Sequence, residues 1–321
     1  MRQVLDGTTV VVITGASSGI GRETALTFAR HGVRLVLAAR SAEGLEDVVE
    51  ECIERGALTE AVEADTGRAE DVRRLAQHAL DAFGRIDVWV NNAGVAAFGR
   101  FTDTPIDAHD EVIRTNLMGY IHGAHAAMEV FFQQDAGVLI NVVSMAGWAP
   151  TPLAASYSAS KFGNRGFSEA LRIELSGHDR IKICDVYPAF VDTPMLDHVA
   201  NYSDRFLKPV PPVVKVEAVA RKIVSLAERP KAFNPVGIAF PMAVALHSLS
   251  PRLFRWTAAR VVAMYEGAAA PRSRTDGALF EPSTGGPTRG GLRSPGLRIV
   301  AVSGAIAVMA GLRWMMRRPR R

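Results

Sequence analysis

Cysteine is almost missing from this chain: Cys52 and Cys184 stand alone, each inside an apolar or helical stretch. No CxxC pair and no histidines at metal-ligand spacing accompany them, so neither a disulfide framework nor a structural zinc is expected. The pattern suits a reducing compartment. A secretory leader is not expected either, since MRQVLDGTTVVVITG holds only a short apolar run preceded by Asp6, too brief for a leader core with a cleavage site. The body is therefore expected in the cytoplasm. A basic surplus is missing too, although the formal charge is +4. Residues 268–321 carry ten arginines against Asp276 and Glu281, which leaves residues 1–267 at net −4. The basic character belongs to the tail, and no nucleic-acid partner is expected of the body.

What is present is a regular alternation. Short apolar or β-branched runs at 9–14, 34–39, 86–91, 137–144 and 181–188, with a weaker one at 61–65, are separated by helical patterns such as GRETALTFARHG and AEDVRRLAQHALDAFG. Strands alternating with helices of this length build βαβ units, so the class is α/β: a doubly wound parallel sheet flanked by helices. With 321 residues, 48% of them hydrophobic, the chain can bury a large core. One domain is expected over 1–267, with a lid of irregular chain or short helices at about 195–212. Helices follow at about 216–266, broken near Pro241 and Pro251.

Beyond it the composition changes. Ten of the 29 residues in 268–296 are Gly or Pro, which reads as a disordered linker. The end, 297–321, is an apolar segment with a basic terminus. Its 14 mostly apolar residues 299–312 reach about 21 Å as a helix, short of the roughly 30 Å hydrocarbon core. Snorkelling of Arg313 extends that reach. Membrane association is the favoured reading, by spanning, dipping in or lying on the surface; a helix docked on the domain is the other.

TGASSGIG at 14–21 follows the first strand and opens a helix. Gly15, Gly19 and Gly21 allow a tight turn on which a pyrophosphate can approach backbone N–H groups at the helix start. With this loop, NNAG at 91–94 and YSASK at 157–161, the sequence resembles the short-chain dehydrogenase/reductase family over roughly residues 7–240. The resemblance implies a Rossmann-like fold and a nicotinamide cofactor, held by Gly15, Ser17, Ser18, Gly19, Ile20 and Gly21 of the loop. Asp65 would contact the adenine, Asn91, Ala93 and Gly94 would shape the cleft, and Thr193 would meet the nicotinamide amide. It further implies a catalytic set of Asn116, Ser144, Tyr157 and Lys161. One departure is Pro188-Ala189, where the family keeps Pro-Gly.

The nucleotide is read from LAARS. Ala39 stands at the end of the second strand, where an NAD site places a carboxylate on the ribose 2′-OH. Arg40 and Ser41 follow, a donor fork and a hydroxyl that suit a 2′-phosphate, so NADP(H) is expected. A plain surface arginine is the competing reading, and Arg22 is expected to be solvated.

Tyr157 and Lys161, four apart on a helix, share a face. Taken alone they are an ordinary pair. With Ser144 and Asn116 in place, Tyr157 is expected to donate a proton to a carbonyl oxygen that Ser144 polarises. Lys161 is expected to lower the phenol's pKa and to bond the nicotinamide ribose, while Asn116 holds a water. Phe98, Phe101, Met145, Trp148, Leu153, Phe190 and Met195 suggest a pocket for an apolar alcohol or carbonyl, or else core packing. The reading is an NADP(H)-dependent oxidoreductase. A catalytically silent nucleotide-binding regulator or membrane scaffold is the alternative. By resemblance, the long helices at about 106–132 and 156–177 would pair the chain as a homodimer or tetramer.

Overall fold

The computed structural model describes residues 4–205, 212–283 and 285–291. Nine strands are described among these residues: β1 (Val10–Thr14), β2 (Arg34–Ala39), β3 (Leu58–Glu63), β4 (Val88–Asn91), β5 (Ala97–Phe98), β6 (Gly137–Val142), β7 (Ile181–Pro188), β8 (Ala200–Asn201) and β9 (Phe233–Val236). Seven form one parallel sheet in the order β3-β2-β1-β4-β6-β7-β9, and β5 pairs with β8. The helices are α1 (Gly19–Ala29), α2 (Glu43–Glu54), α3 (Ala69–Phe83), α4 (Ile106–Ile113), α5 (Gly119–Gln134), α6 (Ala155–Glu174), α7 (Met195–His198), α8 (Val216–Glu228), α9 (Ala239–Leu249) and α10 (Pro251–Ala268).

The inner strands β1, β2, β4, β6 and β7 are buried on both faces, which is why they read as near-continuous apolar runs, whereas the edge strands β3 and β9 are partly exposed. Val11 and Ile13 of β1 pack with α1, α2 and α8 through Phe28, Leu45 and Ile223, whereas Val12 joins the opposite core with Leu75, Trp89 and Phe131. Chain order runs outward to β3, then restarts beside β1 with β4. The crevice at that reversal, outside the carboxyl ends of the strands, is where ligands settle in open α/β sheets.

The expected strands and helices are present, with three differences. A seventh sheet strand, β9, pairs with β7 from Asp185↔Phe233 to Pro188↔Val236. Pro241 does not break a helix: it stands in the first turn of α9, where a missing N–H costs nothing. Third, residues 269–283 and 285–291, expected as disordered linker, run back across the domain. Asn201 bridges Thr275, Arg205 bridges Pro271, and Leu279 is 1% exposed among Ala97, Val112 and Tyr202. Glycine and proline composition was a poor guide here because the segment docks through backbone groups and a single buried leucine, which need no apolar periodicity.

The apolar tail 297–321 lies outside the described residues. Among the described ones, no helix is long and apolar enough to cross a membrane.

Candidate active site

Two loops at the β1/β4 junction are stapled together. Asn92 Nδ2 donates to the Thr14 carbonyl at 2.9 Å and the Gly15 carbonyl at 3.0 Å, while Thr14 Oγ1 accepts from the N–H groups of Asn92 (3.0 Å) and Ala93 (3.2 Å). The fit requires glycine. Gly15 has φ 66°, and a Cβ there would lie 2.7 Å from Ala93 Cα; one on Gly21 would lie 2.1 Å from the Gly15 oxygen. The turn can thus lie flat under a ligand, with Ser18 as N-cap aiming the N-terminus of α1 at it.

Of the two asparagines in the motif, the one that meets the cleft is Asn92, which the sequence reading passed over. Asn91 is 1% exposed and turns inward, accepting from Trp89 Nε1 at 2.9 Å and donating to Asn141 Oδ1 at 2.9 Å and the Tyr120 carbonyl at 3.1 Å. Its effect on the cleft is through β4 and β6. Alternation along a strand puts Asn91 and Asn92 on opposite sides, but the motif by itself does not say which side is inside.

At one end of the crevice, Arg40 follows β2 and Asp65 follows β3. Arg40 donates to the Leu279 carbonyl at 2.8 Å and to the Ala278 carbonyl. Ser41 Oγ accepts the Gly44 N–H at 3.2 Å, and Asp65 pairs with Arg114 at 2.9 Å. Arg22 is not simply solvated: it donates to the Gly286 carbonyl at 3.0 Å and pairs with Glu51.

At the other end β6 delivers Ser144, whose φ of 147° is unusual for a residue with a side chain. Its Oγ accepts the Ala146 N–H at 3.0 Å, closing a short 3₁₀ turn, Met145–Gly147. The Ser144 side chain stands beside the Tyr157 phenol and acts to lower its pKa. Tyr157 and Lys161 lie on the first turns of α6, as the i, i+4 spacing predicts, with Lys161 Nζ 5.7 Å from the Tyr157 ring centroid.

Their electrostatics differ from expectation. Burial pushes the Tyr157 phenol up, the Ser144 hydrogen bond offsetting part of the rise, and Lys161 is not among the causes. Burial also pulls Lys161 down to about 7. Lys161 Nζ lies closer to Tyr120, 4.7 Å from its ring centroid, and donates to the Val142 carbonyl at 3.3 Å and Tyr120 Oη at 3.4 Å. Tyr120 Oη donates to the same carbonyl at 2.7 Å, making this tyrosine a brace for Lys161 that no motif announced.

Asn116 sits in a π-helical turn, Arg114–Met118, joining α4 to α5. Such a turn frees a backbone group from the helical ladder. The side chain is committed elsewhere: Nδ2 donates to the Val95 carbonyl at 2.8 Å, and Oδ1 accepts the Val95 N–H at 2.8 Å. The Asn116 carbonyl accepts from Asn164 Nδ2 at 2.9 Å, and Asn164 Oδ1 is buried without a partner among the described residues. A Cβ on Gly94 would lie 3.2 Å from Asn116 Oδ1, so glycine keeps the two motifs close.

One cavity of about 320 Å³ runs along these strand ends. It is lined by Gly15, Ser17, Ser18, Gly19, Ile20, Arg40, Ser41, Asp65, Ala93, Gly94, Ser144, Tyr157, Lys161 and Thr193; Gly21, Asn91 and Asn116 support it from behind. Of the suggested pocket residues, Phe98, Met145, Phe190 and Met195 line it. Phe101 is 67% exposed, and Trp148 is stacked at 3.4 Å from Arg165 and edge-on to Tyr187, Phe233 and Phe240. Ala189 replaces glycine without strain, because its φ is not positive and its N–H continues the ladder to the Val236 carbonyl at 2.9 Å.

A glycine cradle at one end and a tyrosine, lysine and serine at the other fit an extended dinucleotide. A family model described as short chain dehydrogenase matches residues 9–203. The chain belongs to the short-chain dehydrogenase family. As an oxidoreductase of this family it is 34% identical to the uncharacterized oxidoreductase YxnA of Bacillus subtilis, over 94% of this chain and 88% of that one. A short-chain dehydrogenase/reductase from Burkholderia phymatum, solved in complex with NAD, matches with a TM-score of 0.70 and 27% identity, covering 78% of this chain and 96% of its own. The alcohol dehydrogenase of Thermococcus sibiricus, solved with 5-hydroxy-NADP, matches at 0.62 and 26% identity, covering 71% and 94%. The dehydrogenase thus has structural neighbours with either nucleotide.

Proposed function

We propose that the chain interconverts an apolar alcohol and its ketone or aldehyde with NADP(H), using Tyr157 as the general acid and base. The observation that carries this reading is Ser144, Tyr157 and Lys161 lining the same cavity as the glycine turn and Arg40. A catalytically silent nucleotide-binding protein has no need of a proton donor there.

When bound, the nicotinamide supplies or takes up the hydride. The chain does the rest. Tyr157 gives its proton to the carbonyl oxygen as charge develops on it, and Ser144, its lone pair held by the Ala146 N–H, turns its hydroxyl to the same oxygen. Of the three N–H donors on Lys161, two serve Val142 and Tyr120, and the third holds the nicotinamide ribose. Phe98, Met145, Phe190 and Met195 exclude water and favour an apolar substrate.

Arg40 and Ser41 decide for the 2′-phosphate, with no carboxylate at Ala39 to repel it. Arg40→Ala is expected to weaken NADPH binding relative to NADH by about tenfold or more, as befits loss of a charge-assisted contact. Parallel fluorescence titrations with the two nucleotides measure this, and an equal loss for both counts against NADP(H).

By family resemblance the chain forms a homodimer or tetramer, and its tail 297–321 takes it to a membrane surface. Flotation of the full chain with anionic vesicles, but not of a chain ending at residue 296, is the expected outcome; flotation of both refutes the tail's role.

A further inference from the structure

We propose that the segment comprising residues 269–283 and 285–291 is a built-in competitor for the cofactor, a strap that must leave the glycine turn before a dinucleotide can seat. The inference rests on the nucleotide reading of the cleft. It adds a regulated entry step to it.

The strap's backbone occupies the donors a dinucleotide phosphate needs. Gly19, the first residue of α1, gives its N–H to the Pro287 carbonyl at 3.1 Å, and Gly286 donates to the Ser17 carbonyl at 3.3 Å. Arg22 holds the Gly286 carbonyl at 3.0 Å. At the far end of the cleft Arg40 holds the carbonyls of Ala278 and Leu279. One carbonyl therefore stands at the pyrophosphate seat and two stand at the 2′-phosphate seat. A carbonyl brings only a partial charge, so a phosphate takes the same N–H groups more strongly, and exchange favours the nucleotide once the strap has opened.

The strap is docked specifically. Leu279 is buried against Ala97, Ala108, Val112, Ala200 and Tyr202. Thr275 exchanges both backbone hydrogen bonds with Asn201, at 2.7 and 3.0 Å, and Tyr202 Oη donates to Asp276 at 2.7 Å. Gly285 has φ 95° and passes so close to Gly44 that a Cβ would lie 2.9 Å from its Cα. The anchors lie on β8 and its neighbours, beside Phe98 of the substrate wall, so release of the strap also loosens that wall.

A bound strap lowers apparent affinity by the fraction of molecules in which it is open. Leu279→Ser removes the buried anchor, and Gly285→Ala forces the segment away from α2; both in the full chain are expected to bind NADPH about tenfold tighter than the wild type. Hydrogen exchange on the unmutated full chain gives a second reading. Saturating NADPH is expected to speed exchange at Thr275, Ala278 and Gly286, and to speed tryptic cleavage after Arg274 and Arg289. Unchanged or weaker NADPH affinity in both variants overturns the strap proposal, as does slower exchange of the strap with NADPH, which marks a lid. If neither the wild type nor the variants bind NADPH or NADH, the cofactor reading itself falls and the strap has nothing to exclude.

Discussion

Lys161 stands under two opposing demands. The proposed chemistry asks for a cation, yet Lys161 is buried, and burial brings it from 10.5 to about 7. Between those two values the unfolded chain binds the extra proton and the folded chain does not, so stability rises with pH across that window. Below it the buried charge is a cost. Lys161→Met is therefore expected to raise Tm at pH 6, by about 2 to 4 °C, with the gain shrinking by pH 9; thermal unfolding at the two pH values reads it. An equal Tm difference at both would show that Lys161 is not the group responsible. The shared helix of Tyr157 and Lys161 was legible from motif spacing, because i, i+4 fixes the two on one face. Tyr120 and Asn92 were not. Their roles depend on which way β4 and α5 turn in the assembled sheet, and no local pattern encodes that.

Among the elements, β7 shows how polar residues tie the layers together. Asp185, fully buried, accepts from Arg172 at 2.9 Å, Ser168 at 2.8 Å and Tyr187 at 2.9 Å, and its carbonyl accepts from Asn234 of β9. Burial holds its carboxyl above the ordinary value, opposed first by Arg172. Arg172→Leu leaves that charge uncompensated and is expected to cost about 3 kcal/mol or more, read by denaturant unfolding. The sign with pH follows: a raised carboxyl favours the folded state below its unfolded value and loses that advantage as pH rises through its folded one. The variant's deficit should thus shrink in acid, and a pH-independent deficit contradicts the account. The strand β9 itself escaped the sequence reading because FNPV has little apolar character and one proline, tolerable only because this strand lies at the sheet edge. The strap escaped for a related reason. Apart from Leu279 and Asp276 it docks largely through backbone carbonyls, which composition does not register.

For the molecule as a whole, doubly wound topology places a cleft at the β1/β4 reversal, and the glycine turn, Ala93, Gly94, Ser144, Tyr157 and Lys161 all line it. That much of the architecture follows from alternating strands and helices read in order. What the alternation left out is the return of the chain over its own cleft, a long-range contact between residues such as Arg40 and Leu279 that no window of sequence spans. The central claim is that this cleft transfers hydride with Tyr157 as proton donor. The direct measurement is NADPH consumption against a panel of apolar ketones and aldehydes by the wild type and Tyr157→Phe, alongside NADPH titration of each. The wild type is expected to turn over at least one carbonyl, and the variant to lose about a hundredfold or more with NADPH affinity unchanged. Comparable turnover by Tyr157→Phe would rule out Tyr157 as the proton donor.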